Sequence, residues 1–198
     1  MTWHVGALSV PIILVGFAGW SSIDQGTPER VYVGEKVCRQ CHHMAGDRDQ
    51  FNAWRLTKHA RAYAALSMPE AKPIADLSGI DVDPYDSPIC LGCHTTAYSA
   101  EEWQLDETFH FEDGVQCERC HGPGSEYSNA EVMMDPARAR QAGLKMPEES
   151  ECLVCHKPKG SHQAVLDVKQ FDYESFLEEI AHGGIGGELP VVEEGQPT

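Results

Sequence analysis

The sequence predicts a mainly α-helical fold with extensive loops, and three observations carry that prediction. Apolar residues recur at three- and four-residue spacing in two stretches, the mark of one buried helix face. Almost nothing alternates as a half-buried strand would. Eight cysteines fall in four short sets, too many fixed points for a chain of 198 residues to be organised by side-chain packing alone.

Taken in order, Thr2 to Trp20 contains no Asp, Glu, Lys or Arg and is largely apolar. As a helix it would rise about 28 Å, close to the hydrocarbon thickness of a bilayer. Two readings of residues 1–20 stay open. A retained transmembrane anchor is favoured by Trp3 and Trp20 at its two ends and by the lack of Lys or Arg before the apolar stretch. A cleaved secretory signal, with Gly16 and Ala18 near the cleavage point, is the other. Both carry the rest of the chain across a membrane. Residues 21–30 (SSIDQGTPER) read as a polar linker.

A helix is expected from Asp49 to Leu66, where Phe51, Trp54, Lys58/His59, Ala62, Tyr63 and Leu66 share a face and Pro69 closes it. A second runs from about Asp172 to Ala181, with Phe176, Leu177 and Ile180 apolar and Gly183-Gly184 at its end. A shorter one spans Pro136 to Gln141. Residues 81–88, with two prolines and three aspartates, read as loop, and 183–198 as a flexible acidic tail. The folded domain is therefore 31–182.

The cysteines stand at 38, 41, 90, 93, 117, 120, 152 and 155, in pairs with two residues between, and His42, His94, His121 and His156 follow the second member of each pair. Chance would give roughly 0.02 such Cys-x-x-Cys-His matches in this length. Two thiols at that spacing reach the two vinyl groups on one porphyrin edge, and the adjacent imidazole sits beneath the iron. Structural zinc explains the paired cysteines but not a histidine after every pair. Disulfide staples or a thioredoxin-like pair fail for the same reason. Four covalent haem c groups are the expected cofactors. The motifs recur at 52, 27 and 35 residues, too irregular for a stacked repeat. With roughly 42 residues per porphyrin, the haems themselves must form much of the core.

Sixth ligands decide whether each iron only relays electrons. Six histidines lie outside the motifs: His4, His43, His59, His110, His162 and His182. His59, on the expected first helix, is the best candidate and His182 the second. His43, His110 and His162 stand evenly between ligand and surface, and His4 precedes the domain. Met133 and Met134 are thioether alternatives, which would raise the potential of the haem they bound.

Val33-Gly34-Glu35-Lys36-Val37-Cys38-Arg39-Gln40-Cys41-His42, followed by Trp54-x-x-Thr57-Lys58-His59-Ala60-x-Ala62, resembles the opening of the tetrahaem cytochromes of the ammonia-oxidiser type. Gly114 to Gly124 (GVQCERCHGPG) resembles that family's third haem motif and is the most specific stretch. The resemblance covers roughly Val31 to His182. It implies a multihaem cytochrome c fold around stacked haems, accepting electrons from hydroxylamine oxidoreductase. It also implies His59 as ligand to the haem on Cys117/Cys120, His182 as ligand to the haem on Cys152/Cys155, and an open iron at His94. The family has a histidine some ten residues after the third motif, serving the first haem. This chain reads Asn129-Ala130-Glu131-Val132-Met133-Met134 there. A methionine, one of His43, His110 and His162, or a neighbouring chain must take that role.

The formal net charge of −16 excludes a polynucleotide partner and favours docking against a basic patch on another protein. The expected function is electron transfer between redox partners, at the periplasmic or extracellular face and with a membrane complex as one partner. Four haems on so short a chain suit a relay rather than one catalytic centre. Two alternatives remain. One is an enzyme that reduces a small nitrogen or sulfur compound at an open haem. The other is a subunit of an extracellular haem filament.

Overall fold

The computed structural model describes residues 29–182, apart from 45, 47 and 48, together with Met1. The expected anchor or signal, most of the linker, and the acidic tail lie outside the described residues. Among those described, no helix is long and apolar enough to cross a membrane.

The described chain is helical and loop-rich. Ten α-helices follow one another: α1 Glu35–His42, α2 Gln50–Arg55, α3 Ala71–Leu77, α4 Pro88–His94, α5 Cys117–His121, α6 Ala130–Met133, α7 Pro136–Gln141, α8 Glu149–Cys152, α9 Gly160–Val165 and α10 Tyr173–Ile180. Short 3-10 turns link them. The nearest approach to a sheet among the described residues is one parallel bridge, Tyr32 to Leu105. No helix exceeds eight residues, a length that does not hold in water without tertiary support.

Local signals place several ends. Pro136 opens α7 while the Asp135 carboxylate accepts from the amides of Ala137 and Arg138. Asp172 caps α10 through the amide of Ser175. Both helices lie where the sequence predicts them. The expected continuous helix over 49–66 does not form. It breaks after Arg55 into 3-10 turns at His59–Arg61 and Ala64–Ser67. The Thr57 amide and hydroxyl both take the carbonyl of Trp54, at 2.9 and 2.7 Å, and so end the ladder. Beyond the break, the His59 carbonyl turns outward to accept the amide of Val115 at 3.0 Å, while the Trp54 indole donates to the Val115 carbonyl at 2.8 Å. A Cβ on Gly114, which has φ +75°, would lie 2.7 Å from the His59 carbonyl, so glycine is what lets the two segments meet.

The apolar core is small. Among the described residues it comprises Val33, Leu66, Ala75, Ile80, Leu91, Phe109, Tyr127 and Ala139. Several larger apolar side chains stay outside, among them Ile89 beside Cys90 at 71% exposure and Leu56 at 67%. A chain this long with so few buried apolar groups cannot offset its ordering entropy by side-chain packing alone.

Polar contacts do the joining instead. Glu118, only 2% exposed, accepts the amides of Val33 and Gly124 on one carboxylate oxygen (2.8 and 2.7 Å) and that of Gly34 on the other (2.8 Å). Beside it the Gln116 side chain, 1% exposed, accepts the Glu35 amide at 2.8 Å and donates to the His110 carbonyl. The first amides of α1 are thus capped by side chains from α5 and the residue before it. Burial pushes the Glu118 carboxyl up, and the three amides pull it back.

Glu118→Ala would strand three buried donors, each costing about 1–3 kcal/mol. It should lower unfolding stability by several kcal/mol in chemical denaturation of the haem-loaded protein. Glu118→Gln, which keeps the oxygen serving Val33 and Gly124, should lose clearly less.

Candidate haem-binding site

Three of the four Cys-x-x-Cys-His sets are α-helices ending on their histidine: α1, α4 and α5. The fourth begins at the end of α8 and continues in a turn through Cys155, with the amides of Cys155 and His156 both bonded to the Cys152 carbonyl. At i, i+3 and i+4 the two thiols and the imidazole share one helix face, the arrangement a porphyrin edge and its iron require. All eight cysteines are free thiols. Among the described residues no three His, Cys, Asp or Glu side chains converge as a zinc site needs.

The histidines are set as ligands in their second contacts. His42 Nδ1 donates to Gln50 Oε1 at 2.9 Å, His94 Nδ1 to the Ala62 carbonyl at 2.7 Å, and His121 Nδ1 to the Lys145 carbonyl at 2.9 Å. An acceptor on Nδ1 fixes the tautomer and leaves Nε2 with its lone pair for a metal. Burial pushes His59, His94, His121, His156 and His162 below the ordinary imidazole range, so they are held neutral, the form that binds iron.

Two candidate distal histidines find proximal partners. The rings of His59 and His156 lie 5.8 Å apart between centroids, and those of His121 and His182 lie 6.0 Å apart. Two imidazoles on opposite sides of one metal, each bonded at about 2 Å, put their ring centres roughly 6 Å apart. The residues present therefore fit haem at both places. His182 Nδ1 donates to the Ile180 carbonyl at 3.0 Å, again leaving Nε2. Phe171 stacks on His156 at 4.5 Å and on Phe176 of α10 at 5.4 Å, walling that position.

The rings approach one another in a different pairing from the one implied by resemblance. His59 faces His156, not His121, and His182 faces His121, not His156. The break at Thr57 is the physical reason. It lets the His59 backbone cross to Val115 and carries the ring past α5 toward the fourth motif. Of the other candidates, His43 turns back onto its own helix, Nδ1 to the Arg39 carbonyl at 2.5 Å. His110 is exposed and lies near Glu35. Met133 is half-buried on α6 and Met134 is exposed at its end. Among the described residues none of these pairs with His42. His162 lines a cavity of about 380 Å³ together with Cys90 and His94.

The thiols link the motifs to one another. Cys38 of the first lies beside Cys117 of the third, and that neighbour together with burial pushes the Cys38 thiol up. Cys93 of the second lies beside Cys155 of the fourth. Cys120 lies close enough to Cys152 for its thiol, pushed up to about 11 chiefly by burial, to be raised further by that neighbour. The attachment points therefore run first, third, fourth, second. Arg119 sits among them, Nη2 to Cys155 Sγ at 3.8 Å and in the field of Cys93 and Cys120. Lys159 Nζ reaches Cys93 Sγ at 3.5 Å.

Short helices whose last turns present paired thiols and a histidine, two of those histidines faced by a second imidazole, are the arrangement by which c-type cytochromes hold haem. Residues 37–122 match the model of the family described as cytochrome c554 and c-prime, so the resemblance read from the sequence is borne out. Cytochrome c-554 of Nitrosomonas europaea is 28% identical over 141 residues, 63% of this chain. That alignment spans 57% of the relative's own length. No solved structure matches the chain.

Sequence reasoning missed Glu118, Gln116 and Arg119. Arg119 occupies a variable place inside a haem motif, where nothing in the local pattern reports a partner. The Ala62 and Lys145 carbonyls carry no side-chain signal at all.

The His59–His156 pairing has a direct check in the oxidised, haem-loaded protein. His59→Ala, His156→Ala and the double variant should each lose the same single low-spin haem by electron paramagnetic resonance. Loss of two low-spin haems in the double variant would contradict a shared iron.

Proposed function

We propose that this chain is a tetrahaem c-type cytochrome that relays electrons between protein partners on the non-cytoplasmic side of a membrane. The observation that carries the reading is the contact between the motifs: Glu118 of the third holds the amides of Val33 and Gly34 before the first at 2.8 Å, Arg119 of the third reaches Cys155 Sγ of the fourth at 3.8 Å, and Lys159, just after the fourth, reaches Cys93 Sγ of the second at 3.5 Å. Porphyrins held at neighbouring attachment points would have adjacent edges, and four so placed would form a continuous route. Bound there, each haem iron would take up and give back one electron.

The chain's part is spacing, potential and docking. His59 and His182 would hold two irons from the far side. Arg119, half-buried beside the thiols of three motifs, favours the reduced and less positive state of the nearby irons. The net charge of −16 suits a partner with a basic docking face. The uncharged N-terminal stretch from Thr2 to Trp20 would hold the domain at the membrane surface, which suits exchange with an integral complex. An enzyme reducing a small nitrogen or sulfur compound is the second reading. The cavity beside His94 is the place where it would act.

A pyridine-haemochrome assay should give four haems per chain, and a spectroelectrochemical titration should take up four electrons. Fewer would end the tetrahaem reading. Arg119→Gln should lower the potentials of the haems nearest Cys155 by roughly tens of millivolts with haem content unchanged. An unshifted titration would remove Arg119 from any role in setting potential.

A further inference from the structure

We propose that His162 is the second axial ligand of the iron at His94, making the haem on Cys90 and Cys93 six-coordinate. The inference rests on the reading that this motif carries a haem. One wall of the 380 Å³ cavity is formed by Cys90 and His94, the attachment side of the motif. Ser161, His162 and Leu166 line the same cavity from the segment that contains α9. Between them the lining is mostly apolar, with Ile74, Ile80 and Ile89 among it, as a porphyrin face requires.

The position of His162 is built. Helix α9 packs against α3, where the Ser78 hydroxyl donates to the Ile74 carbonyl at 2.7 Å and lies 2.9 Å from Ser161 Oγ. Ser161 Oγ in turn lies 3.4 Å from His162 Nδ1. The ring is thus engaged on Nδ1, as His94 is by the Ala62 carbonyl. With Ser161 Oγ accepting from Nδ1, His162 would present Nε2 to a metal, as His94 does with its Nδ1 on a carbonyl. Three other side chains on the lining can donate to iron, among them Glu70, which is exposed. Lys159 already reaches the Cys93 sulfur, and Met68 is 58% exposed. His162 alone is an imidazole held by neighbouring elements.

The test uses the full haem-loaded chain. In His162→Ala, high-spin ferric haem measured by electron paramagnetic resonance should rise by one per chain over wild type. Carbon monoxide taken up by the reduced protein should rise by one equivalent. His162→Gly should show the same gain, reversed by added imidazole, which separates a lost ligand from a disturbed fold. With four haems retained, an unchanged high-spin content in both variants overturns the proposal while leaving the electron relay standing. The gain appearing in Met68→Leu instead also overturns it. Fewer than four haems in wild type would overturn the tetrahaem reading and this proposal together.

Discussion

The structure depends on one buried carboxylate. Glu118 lies between the two cysteines of the third motif, and its oxygens hold the amides of Val33, Gly34 and Gly124. A short helix has too few internal bonds to persist alone, and its first amides lack partners within it. Here those partners come from more than eighty residues away, from Glu118 to Gly34 and from Gln116 to Glu35. The start of the first motif is therefore fixed by the third. Cys38 and Cys117 meet because of it. In a chain with so little apolar core, a few satisfied buried polar groups specify the arrangement that side-chain packing would set elsewhere.

From that joint the other positions follow. Val115, just before α5, binds the His59 segment at both its amide and the Trp54 indole contact, and this swings His59 across to His156. On the other side of α5, Lys145 clasps His121, its amide on the His121 carbonyl and its own carbonyl on the ring. Gly122, at φ +79°, allows the turn that brings the two together. The third motif is thus the hub: it holds the first through amides, brings the His59 ring against His156 of the fourth, and places Arg119 toward the second and fourth. A linear order of attachment points emerges that differs from their order in the chain.

The chemistry of the site was legible in the sequence because thioether attachment needs fixed residues at fixed spacing. His59 and His182 were also legible, as histidines on or beside helical patterns. Their pairing was not. It turns on the Thr57 break, where a hydroxyl and an amide compete for one carbonyl, and on a glycine whose value lies in what it lets approach. Local periodicity over 49–66 picked out residues that are mostly half-buried, with Leu66 buried and Lys58 exposed, but not the backbone that presents them, since tertiary bonds at His59 outweighed propensity. Glu118 gave no warning either. A glutamate in a five-residue helix reads as surface until its distant amide partners are known.

The central claim is that this chain is a scaffold whose short helices place four irons in a line from the first motif through the third and fourth to the second. Anomalous diffraction at the iron absorption edge, on crystals of the haem-loaded protein, tests it most directly. The account predicts four iron peaks per chain, one between the His59 and His156 rings and one between His121 and His182, in the order first, third, fourth, second. Irons found in the order of their motifs along the chain, or a His59 ring bound to the iron of His121, would contradict it.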